Sequence, residues 1–339
     1  MEVLAGDIGG TNARLAVVTI DDAGRAVMGR FAVYPSADAP GLAPIVREFL
    51  AAGAERPTHA SFAVAGPVRG DEIDATNLPW RLAAPDLAAA IGIPRTRLLN
   101  DFLAVGYGLS QLGPGDIVTL QAGEADEPDG TLGLLGAGTG LGVAAVARAR
   151  GRSVARPSEG GHASFAPQDA LEDGLLAFLR AELGGHVSAE RVVSGPGLVN
   201  LYRYLAAEGP RFGLPPERAE VRAAMAASEV DAAVVTSRAF GAGGVEPDPL
   251  CAAAVERFAR LYGAMAGSVA LTLYATGGVY VAGGVTQHVL PALERGAFIE
   301  AFRAKGRMRP LLEAMPVHVV TCETVGLMGA AIAAWAAEG

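Results

Sequence analysis

A short polar turn near the start of the chain has the composition of a phosphate-binding loop. It lies between two apolar runs, 3–5 and 15–18. Its candidate ligand-binding residues are Gly6, Asp7, Ile8, Gly9, Gly10, Thr11 and Asn12. Apolar runs joined by a glycine pair predict a β-hairpin, in which we expect Gly9 and Gly10 to supply the positive φ of a tight turn. Missing Cβ atoms expose backbone N–H groups to an anion, and Thr11 and Asn12 add side-chain donors. The alternative is an ordinary glycine-rich hairpin.

Asp7 stands at the mouth of this turn, and Arg14 follows shortly after it. A carboxylate repels a bare phosphate, but it holds the water ligands of a Mg²⁺ ion that is bound to the phosphate. We therefore expect Asp7 to contact Mg²⁺ through water, with Arg14 adding positive charge. The alternative for Asp7 is a solvated surface carboxylate.

The strand–turn–strand pattern occurs a second time. An apolar run at 132–135 leads into G-A-G-T-G-L-G, and a second run at 143–146 leads out of it. The candidate phosphate-binding residues here are Gly138, Thr139 and Gly140. The repeat looks like an internal duplication of one supersecondary unit. One glycine-rich turn is weak evidence for a phosphate site. Two turns of the same design predict that a polyphosphate is bound by one loop from each of two domains.

Two adjacent polar residues end a third apolar strand. Asn100 and Asp101 follow Leu98 and Leu99 and run directly into an apolar-periodic helix. Asn or Asp at such a junction is commonly a helix cap. The carboxyl end of a strand is also where open α/β sheets place their chemistry, so both interpretations stay open.

A later loop has side chains that suit a sugar. Glu159 and His162 flank two glycines, which places a carboxylate and an imidazole within reach of one small polar ligand. Sugar hydroxyls require such acceptors and donors. The alternative is a surface loop with a solvated Glu159 and a structural His162.

A third strand-to-glycine transition lies at Gly283 and Gly284, after the apolar segment 279–282. Two adjacent residues without side chains let a flat base lie against the backbone. The alternative is a plain turn after a core strand.

Composition excludes several classes of protein. The 339 residues are 51% hydrophobic and 19% charged, which indicates a packed globular chain long enough for two domains. A formal net charge of −9 without a basic run argues against nucleic acid or an anionic membrane as partner. Lys305 is the only lysine and precedes Gly306, so a Walker-type phosphate loop is absent. Cys251 and Cys322 are isolated, which predicts neither a disulfide framework nor a zinc site.

Residues 261–293 carry no formal charge and pass a length test for a membrane helix. Two glycine pairs interrupt them, so we expect a buried helix, a turn and a buried strand. Glu2 and Asp7 argue against a signal peptide, so we expect a cytoplasmic protein.

Hydrophobic periodicity places these motifs on alternating strands and helices. We predict strands at 26–34, 59–65 and 279–282, and helices at 169–183, 197–205, 250–273 and 324–337. This pattern predicts an α/β fold.

The ordered motifs resemble those of the bacterial glucokinases. They are G-D-I-G-G-T-N-A-R, L-N-D-F, G-A-G-T-G-L-G, E-G-G-H, E-R-V-V-S-G-P-G and V-A-G-G-V, and together they span essentially the whole chain. The resemblance implies a two-domain, actin-like ATPase (ribonuclease H-like) fold with a central cleft. The small domain would comprise residues 1–110 with 324–339, and the large domain residues 111–323.

The resemblance also implies roles for the candidate residues. Residues 6–12 and 138–140 would bind the phosphates of ATP, with Asp7 near Mg²⁺, and 283–284 would lie beside adenosine. The implied glucose contacts are Asn100, Asp101, Glu159, His162 and Glu190, with Asp101 as catalytic base. From the residues alone, Glu190 is also compatible with a capped helical turn. Ala137 departs from the family, many of whose members have proline there.

The activity implied is phosphoryl transfer from MgATP to the 6-hydroxyl of glucose, in a cytoplasmic homodimer. A kinase for another hexose, a non-catalytic sugar sensor and an acyl-phosphate kinase of the same fold are the alternatives. The related repressor/open-reading-frame/kinase group carries a cysteine-rich zinc motif, which two distant cysteines exclude here.

Overall fold

The computed structural model describes residues 1–36, 39–76, 78–124, 127–149, 152–228 and 231–338. The strands in these ranges are β1 (Glu2–Ile8), β2 (Asn12–Ile20), β3 (Ala26–Pro35), β4 (His59–Val64), β5 (Val68–Arg69), β6 (Glu72–Asp74), β7 (Arg81–Ala83), β8 (Arg95–Asn100), β9 (Ile117–Gln121), β10 (Leu132–Ala137), β11 (Leu141–Ala149), β12 (Arg152–Ser158), β13 (Val279–Ala282) and β14 (Val317–Val320). The helices are α1 (Leu42–Ala51), α2 (Ala84–Ile91), α3 (Asp101–Gly108), α4 (Ala170–Leu183), α5 (Gly195–Glu208), α6 (Ala219–Ala226), α7 (Asp231–Phe240), α8 (Pro249–Leu273), α9 (Gly284–Leu293), α10 (Ala297–Arg303), α11 (Arg309–Ala314) and α12 (Val325–Ala336).

Two sheets repeat one strand order. The first runs β3-β2-β1-β4-β8, with β1 antiparallel to β2 and parallel to β4. The second runs β12-β11-β10-β13-β14-β9, with β10 parallel to β13. In each sheet, three strands that are consecutive in the chain lie side by side. The next strand, which follows one or more helices, pairs in parallel with the first of these three. The two glycine turns therefore occupy equivalent places, and the α/β class expected from the sequence is confirmed.

The chain forms two compact units. The first unit comprises Met1–Ile117, Ala144–Pro157 and Cys322–Gly339, and the second comprises Val118–Val143 and Ser158–Thr321. A short sheet, β5-β6-β7, belongs to the first unit.

Both faces of the first sheet are covered along β1, β2 and β4, which explains why these strands are almost continuously apolar. Leu4 and Phe62 pack on one face with α1 and α2. Val3 and Ala5 pack on the other face with the alanine-rich helix α12. A Cβ atom at Gly329 would overlap the Ala104 carbonyl oxygen, so glycine there lets α12 lie directly on α3.

The long helix α8 is the centre of the second unit. Its buried side packs against β10 and α10. Cβ atoms at Gly263 and Gly267 would overlap the carbonyl oxygens of Phe298 and Phe302, so these glycines allow the close approach of α10. Within the described residues, none of the helices combines the length and the hydrophobicity that a membrane span requires.

The region 261–293 follows the expected helix, turn and strand, and then adds a helix that the sequence analysis missed. Helix α9 begins at Gly284, immediately after β13. The glycines at 283–284 therefore lead into a helix N-terminus.

Candidate active site

The first turn, residues 9–12, is closed by the Gly9 N–H, which donates to the Asn12 carbonyl oxygen at 2.9 Å. Neither Gly9 nor Gly10 has a positive φ, so the expectation that glycine supplies that conformation here is wrong. The nearest atom to a Cβ built on Gly9 is the Asn12 carbonyl oxygen, at 3.4 Å. The backbone conformation of the turn therefore does not depend on a left-handed glycine.

Ser36 holds the first turn in place, and sequence reasoning did not identify it. Its buried hydroxyl donates to the Gly9 carbonyl oxygen at 2.7 Å. Its N–H donates to the Thr11 carbonyl oxygen at 2.9 Å. These bonds hold the carbonyl groups of Gly9 and Thr11 against the end of β3. No local motif marks Ser36, because its partners lie more than 20 residues earlier in the chain.

Asp7 and Asp101 lie at one edge of the first sheet. Asp7 is the next-to-last residue of β1, opposite Ala63 of β4, and Asn100 ends β8 opposite Val64 of β4. These three strands are parallel, so their carboxyl ends share an edge, which is the edge where open α/β sheets bind ligands. The first unit thus brings the two acids together.

The pKa of the Asp7 carboxyl is raised, chiefly by burial and also by the charge of Asp101. Arg14 opposes this shift from 3.5 Å, the distance between its Nη1 and Asp7 Oδ2. Burial also raises the pKa of Asp101, against the lowering effect of hydrogen bonds from the backbone and from Asn100. Two desolvated acids side by side favour a cation or a proton between them.

Asn100 is the N-cap of α3. Its Oδ1 accepts from the N–H groups of Phe102 and Leu103, at 3.0 and 3.1 Å. Its Nδ2 donates to the Gly66 carbonyl oxygen at 3.0 Å. The capping interpretation is therefore confirmed for Asn100, whereas Asp101 stands in the first helical turn with its Oδ1 accepting from the Phe102 N–H at 2.8 Å.

The second turn, residues 138–140, belongs to the second unit. The Gly138 N–H donates to the Gly140 carbonyl oxygen, and the Gly195 N–H donates to the Gly138 carbonyl oxygen, both at 2.8 Å. Gly195 is the first residue of α5, so the positive end of that helix adjoins the turn. A Cβ built on Gly138 meets nothing within 4 Å. The protein itself leaves open the space that a side chain here would fill.

Tyr262 joins the carboxyl ends of β10 and β13. Its buried hydroxyl accepts from the Ala137 N–H at 2.9 Å and contacts the Thr286 hydroxyl at 3.0 Å. It also donates to the Ala282 carbonyl oxygen at 3.3 Å. Burial raises the pKa of this phenol, so it stays a neutral hydrogen-bonding group. Sequence reasoning missed Tyr262, since it lies among apolar residues in the middle of α8.

Two features of the backbone at position 283 require glycine. Its φ is 101°, and a Cβ there would overlap the Ala137 carbonyl oxygen. Gly284, the first residue of α9, has open space where its Cβ would be. Because β10 and β13 are parallel neighbours, residues 138–140 and 283–284 lie at the same edge of the second sheet.

Two loops that carry proposed sugar residues of the second unit meet at Leu141. Glu190 Oε2 accepts from the Leu141 N–H at 2.9 Å and lies 2.5 Å from the position of a Cβ on Gly140. A Cβ on Gly161 would overlap the Leu141 carbonyl oxygen. Because Gly161 has no side chain, the 3₁₀ turn Gly160–His162 packs directly against Leu141.

Glu159 and His162 stand at the two ends of that 3₁₀ turn, with 3.8 Å between Glu159 Oε2 and His162 Nε2. Their side chains are 89% and 62% exposed, so both are accessible to a ligand. Within the described ranges, no group of three or more His, Cys, Asp or Glu residues is arranged to hold a metal ion.

A family model described as Glucokinase matches residues 4–337. The chain is 42% identical over 344 aligned positions to a glucokinase of Nostoc sp. strain PCC 7120, covering 98% of each chain.

Solved structures agree with this match. The crystal structure of glucokinase from an Antarctic psychrotroph superposes with a TM-score of 0.84 at 33% identity, covering 98% of each chain. A ROK family glucokinase from Streptomyces griseus, solved with glucose and AMPPNP, superposes with a TM-score of 0.62 at 23% identity over 100% of both chains. The second likeness shows the shared actin-like ATPase fold, which confirms the fold class expected from the motifs.

Proposed function

The chain belongs to the glucokinase family, and from this premise we propose that it transfers the γ-phosphoryl group of ATP to the 6-hydroxyl of glucose, giving glucose 6-phosphate and ADP. The observation that carries the proposal is the environment of Asp101. Its carboxyl is desolvated, its pKa is raised, and it lies with Asp7 at the carboxyl edge of the first sheet.

Asp101 is the general base in this proposal. It accepts the proton of the 6-hydroxyl while that oxygen attacks the γ-phosphorus and the bond to the β–γ bridging oxygen breaks. A raised pKa makes the carboxylate a stronger proton acceptor, and such a base contributes about 10²–10⁴ in rate. The N-terminal turn of α3, fixed by the Asn100 cap, holds Asp101 in one orientation.

The nucleotide binds to the glycine turns. Residues 6–12 and 138–140 take the phosphates, and 283–284 lie against adenosine. Support comes from the open space at Gly138 and Gly284 and from the helix N-termini of α5 and α9 next to them. The ATP analogue bound by the S. griseus relative is consistent with this donor.

The residues around Asp7 suit Mg²⁺, which would arrive with the nucleotide. Asp7 offers hard oxygen ligands, and the neighbouring Asp101 charge raises the pKa of its carboxyl, so a dication there relieves the repulsion. We propose that Asp7 holds the ion through water. When bound, Mg²⁺ neutralises charge on the phosphates.

Glucose is bound by Asn100, Asp101, Glu159, His162 and Glu190 in this proposal. The exposed Glu159 and His162 have free acceptor and donor capacity for hydroxyls. Glu190 keeps one oxygen on the Leu141 N–H, which orients the carboxylate and leaves its other oxygen for the sugar.

Asp101→Asn tests the assignment, since the amide oxygen still accepts the Phe102 N–H but the group no longer takes a proton. We expect kcat to fall by about 10²–10⁴ while glucose binding, followed by calorimetry, stays within a few-fold of wild type. Asp86→Asn is the matched control, because Asp86 is an exposed acid in the first turn of α2 in the same unit. Near-normal turnover of Asp101→Asn would show that another group is the base.

We also propose a cytoplasmic homodimer that supplies glucose 6-phosphate to glycolysis. Both cysteines are free thiols, as expected in a reducing compartment. The outer strand β3 presents Phe31 and Val33 on one face, 44% and 48% exposed, which is the kind of apolar surface that a second copy covers. Sedimentation of wild type and Phe31→Asp tests the dimer; a wild-type monomer at micromolar concentration would contradict it.

A further inference from the structure

The second unit contains an apolar cavity of about 220 Å³ that the proposed reaction does not use. Its walls include Phe165, Val192, Leu261, Met265 and Val269. Lys305 is the one charged side chain that lines it in the described part of the chain. A mostly apolar cavity with a single cation is complementary to an anion that has an apolar body.

Lys305 is built into this cavity. Its Nζ donates to the Ala264 carbonyl oxygen at 2.8 Å and to the Ser268 hydroxyl at 3.0 Å. A Cβ on Gly267 would lie 2.8 Å from Lys305 Cε, so glycine makes room for the lysine stem across α8. These contacts use two of the three N–H donors of the ammonium group.

Among the residues that the structure describes, the half-buried ammonium group of Lys305 has no acidic partner. Burial lowers the pKa of the ammonium group, and no carboxylate in the described part of the chain compensates that burial. A desolvated charge without a counter-ion is unfavourable until an anion pairs with it.

We propose that this cavity binds a small monocarboxylate, with the carboxylate on Lys305 Nζ and the apolar body among the side chains of α8 and the adjoining loops. An apolar cavity of about 150 Å³ accommodates benzene, so about 220 Å³ suits roughly nine or ten non-hydrogen atoms. Octanoate and benzoate have that size.

The cavity lies behind the turns that carry the sugar residues. Gly160, next to Glu159, and Ala189, next to Glu190, are part of its wall. Resting on the proposed function, we infer that a bound monocarboxylate holds these turns in one arrangement and so changes the KM for glucose. The binding itself does not depend on that function.

Calorimetry with octanoate on the full chain tests the binding. We expect saturable binding at one site per chain, at least tenfold weaker in Lys305→Met, which keeps the stem and loses the charge. Ala264→Leu fills the cavity from α8 and should abolish binding. Arg307→Met is the matched control, since it removes an exposed cation two residues from Lys305 that does not line the cavity.

Chemical variation of the probe tests the recognition. Octan-1-ol and octylamine should bind at least tenfold more weakly than octanoate. Comparing the affinities of benzoate and octanoate shows whether the cavity prefers an aromatic or an aliphatic apolar group. Absence of octanoate binding at millimolar concentration, equal binding of octan-1-ol, or unchanged binding in Ala264→Leu and Lys305→Met would each overturn the proposal.

Kinetics test the coupling separately. Octanoate should change the KM for glucose at least twofold in the wild type and leave it unchanged in Ala264→Leu. Binding without any change in KM would refute the coupling alone. Absence of glucose phosphorylation would refute the proposed function, while the calorimetric result would still decide the cavity.

Discussion

A methyl group at position 138 tests whether the second turn is kept open for a phosphate. Nothing lies within 4 Å of a Cβ built on Gly138, and its φ is outside the left-handed region, so alanine fits the folded chain. Replacing glycine at a compatible site stabilises a protein by about 0.4–1 kcal/mol through the unfolded state. We therefore expect the melting temperature of Gly138→Ala to equal or slightly exceed that of the wild type.

The same methyl group occupies the space where phosphate oxygens would approach the backbone. A hydrogen bond to a charged group contributes about 1.5–3 kcal/mol, so losing one weakens nucleotide binding roughly tenfold to a hundredfold. A coupled assay gives the KM for ATP, and calorimetry gives the affinity for AMPPNP. Glucose affinity should change little.

Two glycines serve as comparisons. Gly115→Ala also has open space around its Cβ but lies far from either turn in the sequence, so its stability should not fall and its KM for ATP should not rise. Gly140→Ala places a Cβ 2.5 Å from Glu190 Oε2 and should cost about 1–3 kcal/mol by breaking the bond to Leu141. A wild-type KM for ATP in Gly138→Ala would refute the phosphate assignment, and a large loss of stability would refute the local geometry.

Three further predictions concern the supporting structure. Tyr262→Phe leaves the Ala137 N–H without its acceptor and should destabilise the second unit by about 1–3 kcal/mol in denaturant titrations, and an unchanged midpoint would contradict the role of the hydroxyl. Asn100→Ala removes the cap of α3 and should cost about 0.5–2 kcal/mol, most of which Asn100→Asp should restore. Burial raises the pKa of Asp101 above 3.8, so the folded state holds this proton more tightly than the unfolded state, and wild-type stability falls as the pH rises through that window. Asp101→Asn should therefore melt higher than the wild type at neutral pH and lose that advantage near the ordinary aspartate pKa, and an advantage independent of pH would contradict the assignment.

The parts of the fold that depend on local pattern were accessible from the sequence. Apolar runs on both sides of a glycine turn located β1, β2, β10 and β11, because the strand period and the turn residues are encoded within a few positions. Helix α4 was located through its apolar spacing, and the structure shows Asp169, the first residue of the predicted range 169–183, as its N-cap.

The parts that depend on distant contacts were not accessible. Ser36 bonds to the first turn and Tyr262 to the residue before the second turn, each from 20 or more residues away along the chain, and nothing in their local sequence indicates it. The missing positive φ at Gly9 and Gly10 has the same origin, since bonds from Ser36 stabilise a turn that local propensity does not specify. Glu190 also depends on tertiary structure, because the acceptor role of its carboxylate toward Leu141 exists only once the loops are packed.

Identification of the product tests the central claim most directly. Purified protein incubated with ATP, Mg²⁺ and ¹³C-labelled glucose is followed by ³¹P and ¹³C nuclear magnetic resonance, with 6-deoxyglucose as the matched control substrate. The account predicts one glucose 6-phosphate for each ADP and no phosphorylation of 6-deoxyglucose. Glucose binding without turnover, or a phosphoryl group on any other hydroxyl, would contradict it.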